Sequence, residues 1–367
     1  MATKLSFFGL DRMYQQHINE ISEQRSKADI SGQFLSGENS ISLENTLSAQ
    51  FKREYSITVG SGTDALFLSL NALKIQPDDE VLIPTFSFIA SATAITRTGA
   101  KPVFVDIDPK NALMDLADAK QKITNKTKAI IFVDLYGNLP DIKALEEFAQ
   151  NHDLKLIEDA AQSIGSFKTK RAAGSIGDIS IFSFDPTKPV HAFGTGGAIL
   201  TNDKEIAHYC KAARQNGKNP ITGKYDQFGI NSRISESQAA LIQWQLTNFN
   251  KQLTIRKQLA ERYSSNLNNL PLEILISEQF QYTGNFHKFV IRSKYRNNLK
   301  QHLNIHEIET RIHYSECLYE HPILERFQTP CPNAEALSKE VLSLPFYPEL
   351  SIAEIDYICD VIKNFYS

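Results

Sequence analysis

The sequence predicts an α/β protein, with a mostly parallel seven-stranded sheet flanked by helices and a smaller α+β unit after it. Three observations predict it. Short β-branched apolar runs alternate with amphipathic helical segments through the first two-thirds of the 367 residues. Several of these runs are apolar throughout instead of alternating with polar residues, the pattern of strands buried on both faces. After Thr201 this texture gives way to a polar stretch, a long helical pattern and a less regular remainder.

In chain order, the candidate strands are residues 56–59, 80–84, 102–105, 129–133, 154–158, 179–184 and 197–201. Between them lie helical patterns such as 63–73, 87–98 and 142–151. Residues 215–227 are polar, with Gly, Asn and Pro, and read as a mobile loop. A long helix opens at 235–246 and runs past Arg256. The remainder holds a strand-like 288–291, a helix-like 297–303, a strand-like 310–313 and a last helix from Ile352. This divides the chain into a large unit, 1–250, and a small one, 251–367. In open sheets of this kind ligands bind beyond the carboxyl ends of the strands.

Hydrophobic residues make up 42% and charged residues 22%, the balance of an ordinary globular protein. A net charge of -3 supplies no field that favours nucleic acid or an anionic membrane. No run approaches the ~20 apolar residues of a membrane span, and residues 1–10 do not read as a signal peptide. Cys210, Cys317, Cys331 and Cys359 show neither CxxC pairing nor regular spacing, so no zinc site or disulfide framework is expected. Reduced thiols in a cytoplasm are the expectation.

Four segments can carry chemistry. Ser61-Gly62-Thr63-Asp64 follows a strand and opens a helix, where free amides can bind phosphate; a plain capped turn reads equally well. Ile157-Glu158-Asp159 ends a strand on two carboxylates, which suits a contact to a protonated ring nitrogen, a metal ligand or a helix cap. Ser183-Phe184-Asp185-Pro186-Thr187-Lys188 and Gly194-Thr195-Gly196-Gly197 place a lysine between two apolar strands. A buried lysine needs a partner, neutrality or a covalent role, although most lysines are simply exposed. Gly229-Ile230-Asn231-Ser232-Arg233-Ile234-Ser235 enters a helix; Asn231 or Arg233 could contact a phosphate, but helix capping by Ser235 alone is the simpler reading.

Together these segments resemble the DegT/StrS family of sugar aminotransferases, fold-type I pyridoxal-phosphate enzymes. The resemblance extends through Ile83-Pro84-Thr85-Phe86-Ser87-Phe88, Gly99-Ala100-Lys101-Pro102, residues 133–137, Ile312-His313-Tyr314 and Ser343-Leu344-Pro345. It implies a Schiff-base role for Lys188 and a pairing of Asp159 with the pyridine nitrogen. It implies that Gln162 lies near the phenolic oxygen, that Phe88 stacks on the ring, and that Gly62, Thr63 and Ser183 cradle the phosphate. Asn231 is implied as a phosphate contact given to a neighbouring subunit, hence a homodimer with shared active sites. The implied reaction moves an amino group from an amino acid, glutamate, to a nucleotide-linked keto-deoxysugar, with pyridoxamine phosphate as the intermediate cofactor form. A catalytically impaired member acting as a regulator or scaffold is the rival reading.

The chain departs from the family pattern at Pro189, Asp185 and Thr195. Proline biases Lys188 towards an extended backbone. Arg214, Lys218 and Lys224 could place charge near a diphosphate or merely solvate a loop. His191, His287 and His313 read more simply as structural than catalytic, and Trp244 as core.

Overall fold

The computed structural model describes residues 4–275 and 284–367. Three helices, α1 (Leu10–Gln16), α2 (Ile18–Ile30) and α3 (Glu38–Phe51), precede β1 (Tyr55–Val59). Then follow α4 (Gly62–Ala72), β2 (Glu80–Pro84), α5 (Ile89–Arg97), β3 (Lys101–Val105), α6 (Leu116–Gln121), β4 (Thr127–Val133), α7 (Ile142–Asn151) and β5 (Lys155–Asp159). A short hairpin, β6 (Phe167–Lys168) and β7 (Arg171–Ala172), leads to β8 (Ile179–Ser183), β9 (Gly197–Thr201) and α8 (Lys204–Ala213). The rest comprises α9 (Glu236–Leu267), β10 (Glu273–Ile274), β11 (Phe289–Arg292), α10 (Arg296–Ile305), α11 (Pro332–Glu340), β12 (Val341–Leu344) and α12 (Ile352–Tyr366).

The large sheet has seven strands in the order β1-β9-β8-β5-β4-β2-β3. Only β9 runs antiparallel to its neighbours. Alternate residues of each strand enter separate cores. Ile57, Ile83, Ile131, Ile157 and Ile181 pack on one face, while Leu82, Ile130 and Leu156 pack on the other. Burial on both sides is why the strands are apolar throughout.

Helix α9 starts where Ser235 accepts a hydrogen bond from the amide of Gln238, the cap its sequence suggests. Its first half packs Ala239, Ile242, Leu246 and Phe249 against the large unit, and its second half gives Leu259, Ala260, Tyr263 and Leu267 to the small core. The division expected at 250/251 falls inside this continuous helix. The small antiparallel sheet runs β10-β11-β12.

One expectation changes. Residues 310–313 form no strand: Arg311 makes one bridge with Ser343, and the chain then turns inward, where the Tyr136 hydroxyl donates to the His313 carbonyl. Residues 215–227 form a loop that folds back through bridges pairing Gln215 with Asn231 and Lys218 with Tyr225. Trp244 is half-buried and packs edge-on against His17. Among the described residues no helix is long and apolar enough to cross a membrane, and no cluster of His, Cys, Asp or Glu could hold a metal ion. All four cysteines are buried and unpaired.

Candidate active site

The carboxyl ends of β1, β2, β5 and β8 open on a cavity of about 560 Å³. The amino end of β9 reaches the same edge because that strand runs the opposite way. Gly62, Thr63, Phe88, Asp159, Gln162, Ser183 and Lys188 all line this cavity. Asn231 does not; it lies exposed on the strip that enters α9.

Strand alternation separates the two acids that end β5. Glu158 turns away from the cavity and accepts amide hydrogen bonds from Gly174 and Ile176, both at 2.9 Å. Asp159 turns into it. One of its oxygens accepts from Ser91 Oγ at 2.9 Å and the other from the Ala161 amide at 3.2 Å. Burial raises the Asp159 pKa; Ser91, Ala161 and Lys188 oppose that rise without cancelling it. A carboxylate so placed gains most from a cationic hydrogen-bond donor arriving in the cavity.

Lys188 is presented by a tight turn. Its amide donates to the Asp185 carbonyl at 2.9 Å, and the Asp185 carboxylate accepts from the Thr187 amide at 2.9 Å and hydroxyl at 2.6 Å. The aspartate that departs from the family pattern thus braces the lysine loop, with Pro186 inside the turn. Burial lowers the Lys188 pKa, against the attraction of Asp159 and Asp185. A larger share of its amine is therefore neutral and nucleophilic near neutral pH.

The opposite rim is built from backbone. Ser61 caps α4 by accepting from the Asp64 amide, so the first-turn amides of Gly62 and Thr63 have no acceptor within the helix. Helix and strand are pressed together there: a Cβ on Gly62 would lie 2.7 Å from Ser183 Cβ, and one on Gly197 would lie 2.5 Å from the Ser61 carbonyl carbon. Two free amides and two hydroxyls at a helix N-terminus make a seat for a phosphate.

Gln162 is pinned by its carbonyl, which accepts from the Tyr136 amide and faces His287 Nδ1, each at 3.0 Å. Its amide nitrogen lies 3.4 Å from the Tyr314 hydroxyl at the cavity wall. Phe88 is 53% exposed and lines the cavity, its ring tilted 36° to that of Tyr314 at 6.5 Å between centres. A flat heterocycle with a cationic nitrogen, an aldehyde and a phosphate finds here a carboxylate, an amine, an aromatic face and free amides. These groups fit pyridoxal phosphate.

Several residues in this constellation are either not singled out by the sequence, as with Ser91, Phe8, Lys288 and Arg311, or read there only as structural, as with His287 and His313. Ser91 lies on α5, one turn beyond Ser87, and looks like any helical serine until Asp159 meets it. His287 bridges Gln162 and Thr187, and burial holds its pKa well below the ordinary histidine value. His313 is anchored to Ser343 Oγ at 2.9 Å and is likewise held neutral by burial. Phe8, Lys288 and Arg311 arrive from sequence-distant segments. Arg214 is held within the chain: its guanidinium pairs with Glu44 and donates to the Thr58 carbonyl at 2.7 Å.

Comparison with known proteins gives a consistent result. The model of the DegT/DnrJ/EryC1/StrS aminotransferase family matches residues 15–363. A UDP-N-acetyl-3-dehydro-alpha-D-glucosamine 3-aminotransferase of Acidithiobacillus ferrooxidans is 38% identical over 332 residues, 90% of this chain and 89% of that one. A "pleiotropic regulatory protein" of Geobacillus stearothermophilus is 35% identical, with 97% of each chain covered. DesV of S. venezuelae, solved in complex with a ketimine intermediate, superposes with a TM-score of 0.95 at 32% identity over 99% of both chains. NtdA of Bacillus subtilis, solved with bound cofactor PMP, superposes with a TM-score of 0.92 at 29% identity, over 99% of this chain and 85% of that one.

Proposed function

The chain belongs to the DegT/DnrJ/EryC1/StrS aminotransferase family, and from that premise we propose that it transfers an amino group from glutamate to a nucleotide-linked keto-deoxysugar. The observation that carries the proposal is one cavity lined by both the Lys188 amine and the Asp159 carboxylate, with free helix amides on its rim. Bound pyridoxal phosphate supplies an electron sink for bond-breaking at the amino acid's α-carbon and, as pyridoxamine phosphate, carries the amine.

The chain's own groups do the rest. Lys188 would hold the cofactor through its Nζ, and that nitrogen, when free and neutral, would take the α-proton and return it. Asp159 keeps a proton on the ring nitrogen, held in place by Ser91. Phe88 would cover one face of the ring, Gln162 would meet the phenolic oxygen, and Gly62, Thr63 and Ser183 would hold the phosphate.

Asn231 reaches the phosphate of a second copy of the chain, giving a homodimer with shared sites. Supporting this, Phe34, Ile221, Tyr225 and Phe228 are exposed on segments near Asn231, and Phe228 is 98% exposed. Large apolar side chains in solvent mark an interaction surface. The product is an amino sugar for glycan or lipopolysaccharide synthesis in the cytoplasm, a setting that suits four unpaired thiols.

The test is a panel of keto sugars linked to UDP, GDP and dTDP, each given with glutamate, reading release of 2-oxoglutarate. Sugar-dependent release supports the reading. The name of the Geobacillus relative favours a second reading, a regulator without catalysis. Protein that stays colourless with added cofactor, and releases no 2-oxoglutarate with any sugar, would support that one instead.

A further inference from the structure

Lys288 lines the active cavity and also a smaller one of about 50 Å³ behind it. It precedes β11, where alternation sends Phe289 and Ile291 into the small core and Val290 to the large one. Lys288 shares the side of Val290 and so faces the site. The residue is 6% exposed. Its amine sits 5.6 Å from the Phe7 ring centre and 5.3 Å from that of Phe8. Among the described residues no carboxylate lies within ion-pair distance and no hydrogen-bond acceptor is recorded for it. The nearby charges that act on it are mostly cations, Lys188 and Arg256, against Asp185 alone.

Burial, with Lys188 and Arg256 nearby, holds the Lys288 amine at about 7, so it is only partly charged until an anion enters the cavity. An apolar residue of the same length would serve the fold better, which marks the position as one kept for a ligand. Resting on the reaction proposed above, we propose that Lys288 is the binding residue for a carboxylate carried by a substrate. A carboxylate fits better than a phosphate. A phosphate already has a seat at Gly62 and Ser183, and a single recessed amine matches one planar monoanion. Two sources carry that group: the amino-acid donor, or an acidic keto sugar of the uronate type.

The experiment measures binding to the cofactor-loaded protein by calorimetry, with glutarate as the unreactive probe of the donor site. UDP-glucuronate and UDP-glucose, which differ only by the carboxylate, probe the sugar site. Wild type should bind glutarate, or prefer UDP-glucuronate to UDP-glucose, by tenfold or more. Lys288→Met should abolish whichever of the two is seen, and Lys288→Gln should weaken it, while both keep the wild-type cofactor spectrum. The melting temperature of Lys288→Met should be unchanged or higher, which a purely structural lysine would not give. Glutarate selectivity lost in the variant assigns the donor; sugar selectivity lost assigns an acidic sugar. Absence of both selectivities in wild type, or their persistence in either variant, overturns the proposal. Failure of the wild type to take up cofactor would instead overturn the aminotransferase reading itself.

Discussion

At the scale of single residues, the account depends on the environment of Asp159. Burial pushes its pKa up, and the Ser91 hydroxyl and Ala161 amide push back. On the proposed pairing, Asp159→Asn would remove the charge that keeps a ring nitrogen protonated, and turnover should fall by about three powers of ten, roughly 4 kcal/mol of barrier. Ser91→Ala should lower it only by about tenfold. It should also move the acidic limb of the pH-rate profile upward, because one bond favouring the carboxylate is gone. A pH-rate series on both variants checks this; an unmoved limb in Ser91→Ala would show that the serine only fills space. Asp159 was legible from the sequence because it ends an apolar strand. Ser91 was not, because its role exists only where α5 crosses the end of β5. The same holds for Lys288, which reaches the site just before β11, while His287 beside it stood out only as a structural histidine.

Elements were legible to the degree that their signals are local. The strand at 80–84 and the helix at 142–151 fall at the expected residues, since a terminal Pro84 and the Asp141 cap are written into the chain. The expected strand at 310–313 fails because its pairing is decided by Ser343 and its direction by Tyr136, both distant in sequence. The start of α3 is capped across the molecule. Glu236 accepts from the amides of Gly37 at 2.8 Å, Asn39 at 2.7 Å and Ser40 at 3.2 Å. Burial works against the Glu236 charge, but these amides and the Ser40 hydroxyl outweigh it and hold its pKa below the usual value. Glu236→Ala leaves three donors without a partner, and urea unfolding should register a loss of about 2 kcal/mol. A loss under about 0.5 kcal/mol would mean that water replaces the carboxylate there.

The whole molecule joins a seven-stranded sheet to a small one through α9, with the cavity at their junction. That placement buries histidines that must stay neutral. His191 is held at about 4, chiefly by burial, and His287 and His313 are lowered for the same reason. The unfolded chain takes up protons near pH 6.5 while the folded one does not. Stability is therefore full above that pH and falls as the pH drops towards 4, by about 3 kcal/mol from His191 alone. Urea titrations at successive pH values should show this slope, and His191→Phe should make it shallower. At the level of assembly, Lys188→Ala and Asn231→Ala chains should each be inactive alone. Unfolded and refolded together in equal amounts, they should recover about a quarter of wild-type activity, since half the dimers then hold one intact site. No recovery would leave Asn231 outside any shared site.

On the proposed chemistry, the amine of Lys188 carries the cofactor. Borohydride reduction of the protein loaded with pyridoxal phosphate, followed by peptide mass mapping, tests it most directly because a second lysine, Lys288, lines the same cavity. The account predicts a stable adduct on the peptide containing Lys188. An adduct on Lys288, or on neither residue, contradicts it.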